Sequence, residues 1–158
     1  MSRIYSFVAL LGWSLWLGGL ITLFISVTTL FRRDHALAQQ AAPHLFLVFE
    51  QYQLILAAVA LTSTFAWRLS SRIMLLNMMF LMLALAALGA VASPMYFTKR
   101  MESLREQGRT NSPEFRKLHG QSMGVYTGEA VLLLIGGLIL FAALKKPASP
   151  AAPEVKSA

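Results

Sequence analysis

IMLLNMMFLMLALAALGAVASPMYFT, residues Ile73 to Thr98, carries no charged side chain. A helix needs about 20 predominantly apolar residues to cross a hydrocarbon core, so this stretch reads as a spanning helix with length to spare. Outward from it, Ile4 to Leu30 is equally free of charge and forms a second span. His44 to Trp67 and Gly120 to Leu144 are long enough for two more, each interrupted by a single acid, Glu50 and Glu129.

The expected fold is an all-α integral membrane protein, an antiparallel four-helix transmembrane bundle. Its helices are placed at about 4–31, 44–69, 72–107 and 113–144 within one domain, residues 1–146. Residues 147–158, with Pro147, Pro150 and Pro153 among Ala, Ser and Lys, have nothing to bury and are expected to be a disordered tail. Of 158 residues, 56% are hydrophobic and only 13% charged, against roughly 25% charged in soluble domains. That excludes a water-soluble enzyme. The absence of cysteine excludes disulfides, thiolate nucleophiles, iron–sulfur ligation and thioether-linked haem.

Arg3 before an apolar run also opens a secretory signal, but a signal core is only about 7–15 residues long. Here the run continues to Phe31-Arg32-Arg33, the pattern of an uncleaved helix. The formal net charge is +7, with the basic residues at the ends of the apolar runs rather than in one patch. Lipid headgroups, not nucleic acid, are the partner this pattern suits. Eight basic residues, from Arg32 and Arg33 and the 99–117 region, share one side of the membrane; six share the other. The positive-inside rule then puts the first side in the cytoplasm of a cell whose inner membrane holds the protein, and both termini outside.

Between the first two helices Pro43 is expected to open helix 2. Ser70 or Ser71 is expected to cap helix 3, which should run on past the membrane to a stop at Gly108. Ser112-Pro113-Glu114 reads as the start of helix 4, and Pro94 should bend helix 3 and free the Ala90 carbonyl. No internal repeat, phosphate loop or nucleotide fingerprint is present.

Three side-chain patterns carry chemistry. Gly120, Gly124 and Gly128 lie at four-residue spacing on helix 4, a device for close helix approach, either within the chain or at a homo-oligomer seam. Helix 1 has a comparable small face at Gly12 and Gly19 with Trp16 between them, so helix 1 against helix 4 is the expected pairing. On the other side of helix 4, His119, Ser122, Tyr126 and Glu129 follow at three- and four-residue steps and share one line. Helix 2 presents Glu50 and Gln53. At about 1.5 Å per residue from the shared membrane edge, Glu50 lies about 9 Å deep, Tyr126 about 12 Å and Glu129 about 16 Å, with Tyr96 shallower. A polar pocket opening toward the charged loops is the inference.

An intramembrane carboxylate must be paired, hydrogen-bonded or protonated, which makes Glu129 and Glu50 candidates for ligand binding or proton handling. The competing reading makes them interhelical hydrogen-bonding groups. His119 and His44 sit at matching helix ends, where a two-histidine haem or metal site is conceivable. Met74, Met78 and Met82 form a stripe whose thioethers suit Cu(I), or simply flexible packing. Trp67 and Tyr5 read as interfacial anchors.

At Trp16-Leu17-Gly18-Gly19, Leu30-Phe31-Arg32, Phe49-Glu50-Gln51-Tyr52, Met101-Glu102-Ser103-Leu104-Arg105 and Phe115-Arg116-Lys117-Leu118-His119-Gly120-Gln121-Ser122-Met123, the chain resembles the transmembrane protein 205-like family. The resemblance implies a small four-helix membrane domain without an established biochemical activity, and directs attention to Trp16, Gly19, Glu50 and His119. More distantly, the layout is similar to four-helix membrane proteins that handle copper or haem, including the HemJ-type protoporphyrinogen oxidase. Those carry a histidine within an early helix, where this chain has Phe7-Val8-Ala9. The functional expectation is a non-enzymatic bundle that binds a small ligand, a second copy or another membrane protein. Proton-coupled or metal-ion transport and a haem-associated oxidoreductase are the alternatives.

Overall fold

The computed structural model of the protein describes residues 2–71 and 73–145; the proline-rich tail lies outside them. Within them are four long apolar helices packed together, consistent with a four-span membrane bundle: α1 (Ser2–Arg33), α2 (His35–Ser71), α3 (Met74–Glu106) and α4 (Pro113–Lys145). α3 changes register on its way out: α-helical over Met74–Ala92, π-helical over Ser93–Thr98, and α-helical again over Lys99–Glu106. Pro94 has no N–H for the Ala90 carbonyl. The π segment opens at Ser93, the residue before the proline.

Local chemistry sets most helix ends. A single residue, Asp34, separates α1 from α2, and its Oδ1 accepts the Leu37 N–H at 2.9 Å, capping α2. Pro43 therefore does not open α2; it lies inside it. The Ala-, Leu- and Gln-rich stretch before it is strongly helix-forming, so the helix tolerates the one donor that Pro43 withholds. Nor does Ser70 cap α3. Its hydroxyl donates back to the Ala66 carbonyl at 2.9 Å, as a serine inside a helix commonly does, and no side chain caps α3 at Ile73. Gly108, at φ 69°, turns the chain after α3, and Ser112 Oγ accepts the Phe115 N–H at 3.1 Å at the start of α4.

The helices form a ring in chain order, α1 on α2, α2 on α3, α3 on α4 and α4 on α1, while the two diagonal pairs make no close backbone approach. The tightest seam is α1 against α2. A Cβ on Gly12 would stand 3.3 Å from the Ala60 nitrogen, and one on Gly19 2.9 Å from the Tyr52 ring. The small face of α1 thus meets α2, not α4 as its sequence suggested. Indoles fill the α1/α4 seam instead: Trp13 lies over the bare backbone of Gly137 and donates to the Leu133 carbonyl at 2.7 Å.

Gly120, Gly124 and Gly128 are not a packing seam within the chain. Space over each is open, because the polar line on the other side of α4 faces inward and turns the glycines out. The core is apolar between its polar residues, with Leu20, Leu76, Met79, Leu83, Leu133 and Leu140 fully buried. Met74 and Met78 face outward with many other large apolar side chains, as lipid contact requires, so the methionine stripe does not converge on an interior site. Trp67 is buried in the core rather than standing at the surface as an anchor.

Candidate functional site: a closed polar core

Each helix contributes polar groups to the interior of one half of the bundle. α2 and α4 both descend from the rim that joins α3 to α4, whereas α3 climbs toward it, so the groups fall into two layers. In the shallower layer Glu50 Oε1 accepts two hydrogen bonds, from Thr98 Oγ1 at 2.5 Å and from the Tyr126 hydroxyl at 3.0 Å. Tyr126 reaches across the bundle diagonal to do so. Its ring is held by Phe24, Phe46 and Phe49, at centroid distances of 6.4, 5.4 and 6.5 Å. The deeper layer is one helical turn further along α4, about 4.5 Å at 1.5 Å per residue. There Trp16 Nε1 donates to Glu129 Oε1 at 2.8 Å, and the second carboxyl oxygen lies beside Gly89 of α3, 3.8 Å from where a Cβ would be.

This core is sealed. Glu50, Glu129 and Tyr126 are each 2% exposed and Gln53 is 0%. No basic side chain stands within ion-pair distance of either acid among the described residues, where the ion pairs are Arg100–Glu114 and Arg109–Glu114. Several polar atoms inside it have no hydrogen-bond partner among those residues: Glu50 Oε2, Glu129 Oε2, both amide atoms of Gln53, Ser93 Oγ and, deeper, Thr64 Oγ1. Native interiors leave few such atoms, because each costs about 1–3 kcal/mol when buried unpaired. Their occurrence inside the bundle, on three helices, is the main chemical fact of the molecule.

Of the residues singled out from sequence, Glu50, Gln53, Ser122, Tyr126 and Glu129 are buried in the bundle. Tyr96 and His119 are not. Tyr96 is 56% exposed and packs edge-on against Phe97, while the exposed His119 ring stacks on Phe115. Both lie close to the rim. His44 is also exposed, so neither histidine joins the buried acids. Among the described residues no three His, Asp or Glu side chains converge as a metal site would require. The expected pocket open to the loops is replaced by a closed core; surface grooves lie elsewhere, one of them between Tyr96, Arg100, Lys117 and Gln121.

Sequence reasoning missed three contributors. The spacing of Trp16 between Gly12 and Gly19 signals packing, yet its indole N–H is the donor to Glu129. Thr98 and Ser93, five residues apart, do not share a face of an α-helix. The π register brings residues five apart nearly into line, and only the proline hinted at that.

The family described as Domain of unknown function (DUF4149) matches residues 11–110, well over half of the chain. The matched segment contains Trp16, Glu50, Gln53, Ser93 and Thr98; Tyr126 and Glu129 follow it. No curated protein and no solved structure gives a match.

Proposed function

The chain belongs to the DUF4149 family, and from that premise we propose that it is a non-enzymatic membrane protein whose bundle binds a small, hydrogen-bonding, positively charged or proton-bearing ligand at Glu50, Gln53 and Glu129. One observation carries this reading: two buried carboxyl groups without a basic partner among the described residues each keep one oxygen unpartnered, and the buried amide of Gln53, about one turn along α2 from Glu50, is unpartnered at both ends. Such a group of acceptors in a low-dielectric interior needs a compensating proton or cation, and Gln53 offers both a donor and an acceptor to orient it. The sealed geometry limits the ligand to a size that a small helix displacement admits.

The test is ligand-dependent stabilisation of the purified full chain in detergent, screened against ammonium, alkali cations and small protonated amines. A ligand that binds only the folded state raises the unfolding temperature in proportion to its saturation. Wild-type protein should be stabilised by at least one of them, and Glu129→Gln with Glu50→Gln should remove that response while remaining folded. An identical response in the double variant sinks the reading.

Proton-coupled transport is the second reading, favoured by the hydrogen-bonded run from Thr98 through Glu50 to Tyr126. Flux in proteoliposomes that is indifferent to Glu50→Gln counts against it. A haem-associated role has less support, since His44 and His119 stand outside the core; a visible spectrum after haem supplementation decides it. We also read the chain as similar to the transmembrane protein 205-like family, as an inner-membrane protein with both termini outside the cytoplasm. The outward glycines of α4 suit a second copy or another membrane helix.

A further inference from the structure

Where α3 and α4 leave the bilayer, a groove of about 200 Å³ lies between them, lined by Tyr96, Arg100, Glu114, Lys117, Leu118 and Gln121. Its height is set by the sequence: the charge-free run of α3 ends at Thr98, two residues before Arg100, and the apolar run of α4 opens at Gly120, three residues after Lys117. Charged groups that flank spans so closely stand at headgroup level. Residues 99–117 carry six basic and three acidic side chains, so the surroundings are positive. Glu114 is already shared by Arg100 at 3.0 Å and Arg109 at 3.4 Å, whereas Lys117 has no carboxylate within ion-pair distance among the described residues. Tyr96 and Gln121 add hydroxyl and amide donors, and Leu118 gives the groove an apolar floor suited to the start of an acyl chain.

We propose that this groove binds the phosphodiester of a membrane phospholipid, with Lys117 and Arg100 on the phosphate oxygens and Tyr96 and Gln121 donating alongside them. Ammonium and guanidinium groups, both donors only, match an oxyanion that accepts only. The site is separate from the buried acids and does not depend on their role.

Lipid retention by the full-length protein tests it, with native mass spectrometry on protein stripped in detergent and then titrated with phosphatidylglycerol. One interfacial basic residue is worth about 1 kcal/mol toward an anionic headgroup, so K117Q should weaken retention roughly five-fold, and K117R should restore it. R116Q removes the same charge from the same helix but outside the groove, and should change retention little. Equal losses in K117Q and R116Q mean diffuse surface attraction and overturn the site. Inorganic phosphate at millimolar concentration should not displace the lipid; displacement, with free phosphate retained in its place, identifies a site for the anion itself and overturns the lipid assignment. Unchanged unfolding temperatures in all three variants, whose positions are exposed, tie the readout to binding.

Discussion

At the level of single residues, Glu50 and Trp16 occupy positions where the identity of one atom decides the outcome. Glu50 Oε1 receives both Thr98 and Tyr126. Glutamine keeps a carbonyl oxygen there, so Glu50→Gln should unfold close to wild type, while Glu50→Leu leaves buried donors unpaired and should lose about 1–3 kcal/mol. Titration with a denaturing detergent, following helicity, separates the two. Trp16→Phe keeps most of the packing but strips Glu129 Oε1 of its donor, and a loss of about 1–3 kcal/mol is expected. Pairing it with Glu129→Leu in a double-mutant cycle should recover part of that loss, because no acceptor is then left bare; strictly additive losses would show that the bond contributes nothing.

Glycine has opposite meanings on different helices. On α1, Gly12 and Gly19 have α2 pressed against them, so Gly19→Leu should force the helices apart and destabilise the bundle by about 1–3 kcal/mol. On α4, Gly124 faces open space, so Gly124→Leu should leave the unfolding midpoint of the isolated chain within about 0.5 kcal/mol. If that face meets a second copy, Thr127→Cys, exposed beside it in a chain with no other cysteine, should crosslink across a dimer in membranes, and Gly124→Leu should abolish the crosslink. Periodicity reveals all of these glycines but not which of them touch anything, since contact depends on how each helix is rotated.

For the whole molecule, charge placement predicts which rim faces the cytoplasm. Fusion of a periplasm-active reporter after Lys145 and of a cytoplasm-active one within the loop at Gly108 should both report activity if the eight basic residues of that rim face the cytoplasm. The reverse pattern would invert the orientation without altering the bundle. Four spans, the inward Glu50–Gln53 and Tyr126–Glu129 faces and the basic rim were all legible in the chain. Each depends on hydropathy, charge placement or 3.6-residue spacing, which are properties of a segment on its own. Tertiary structure alone decided that α1 lies on α2, that Trp16 supplies Glu129, that Thr98 meets Glu50 through a π turn, and that the polar cluster is sealed. Those outcomes turn on helix rotation and on register changes of one residue. In a bilayer, where no water pulls on one face more than another, packing between the helices sets the rotation.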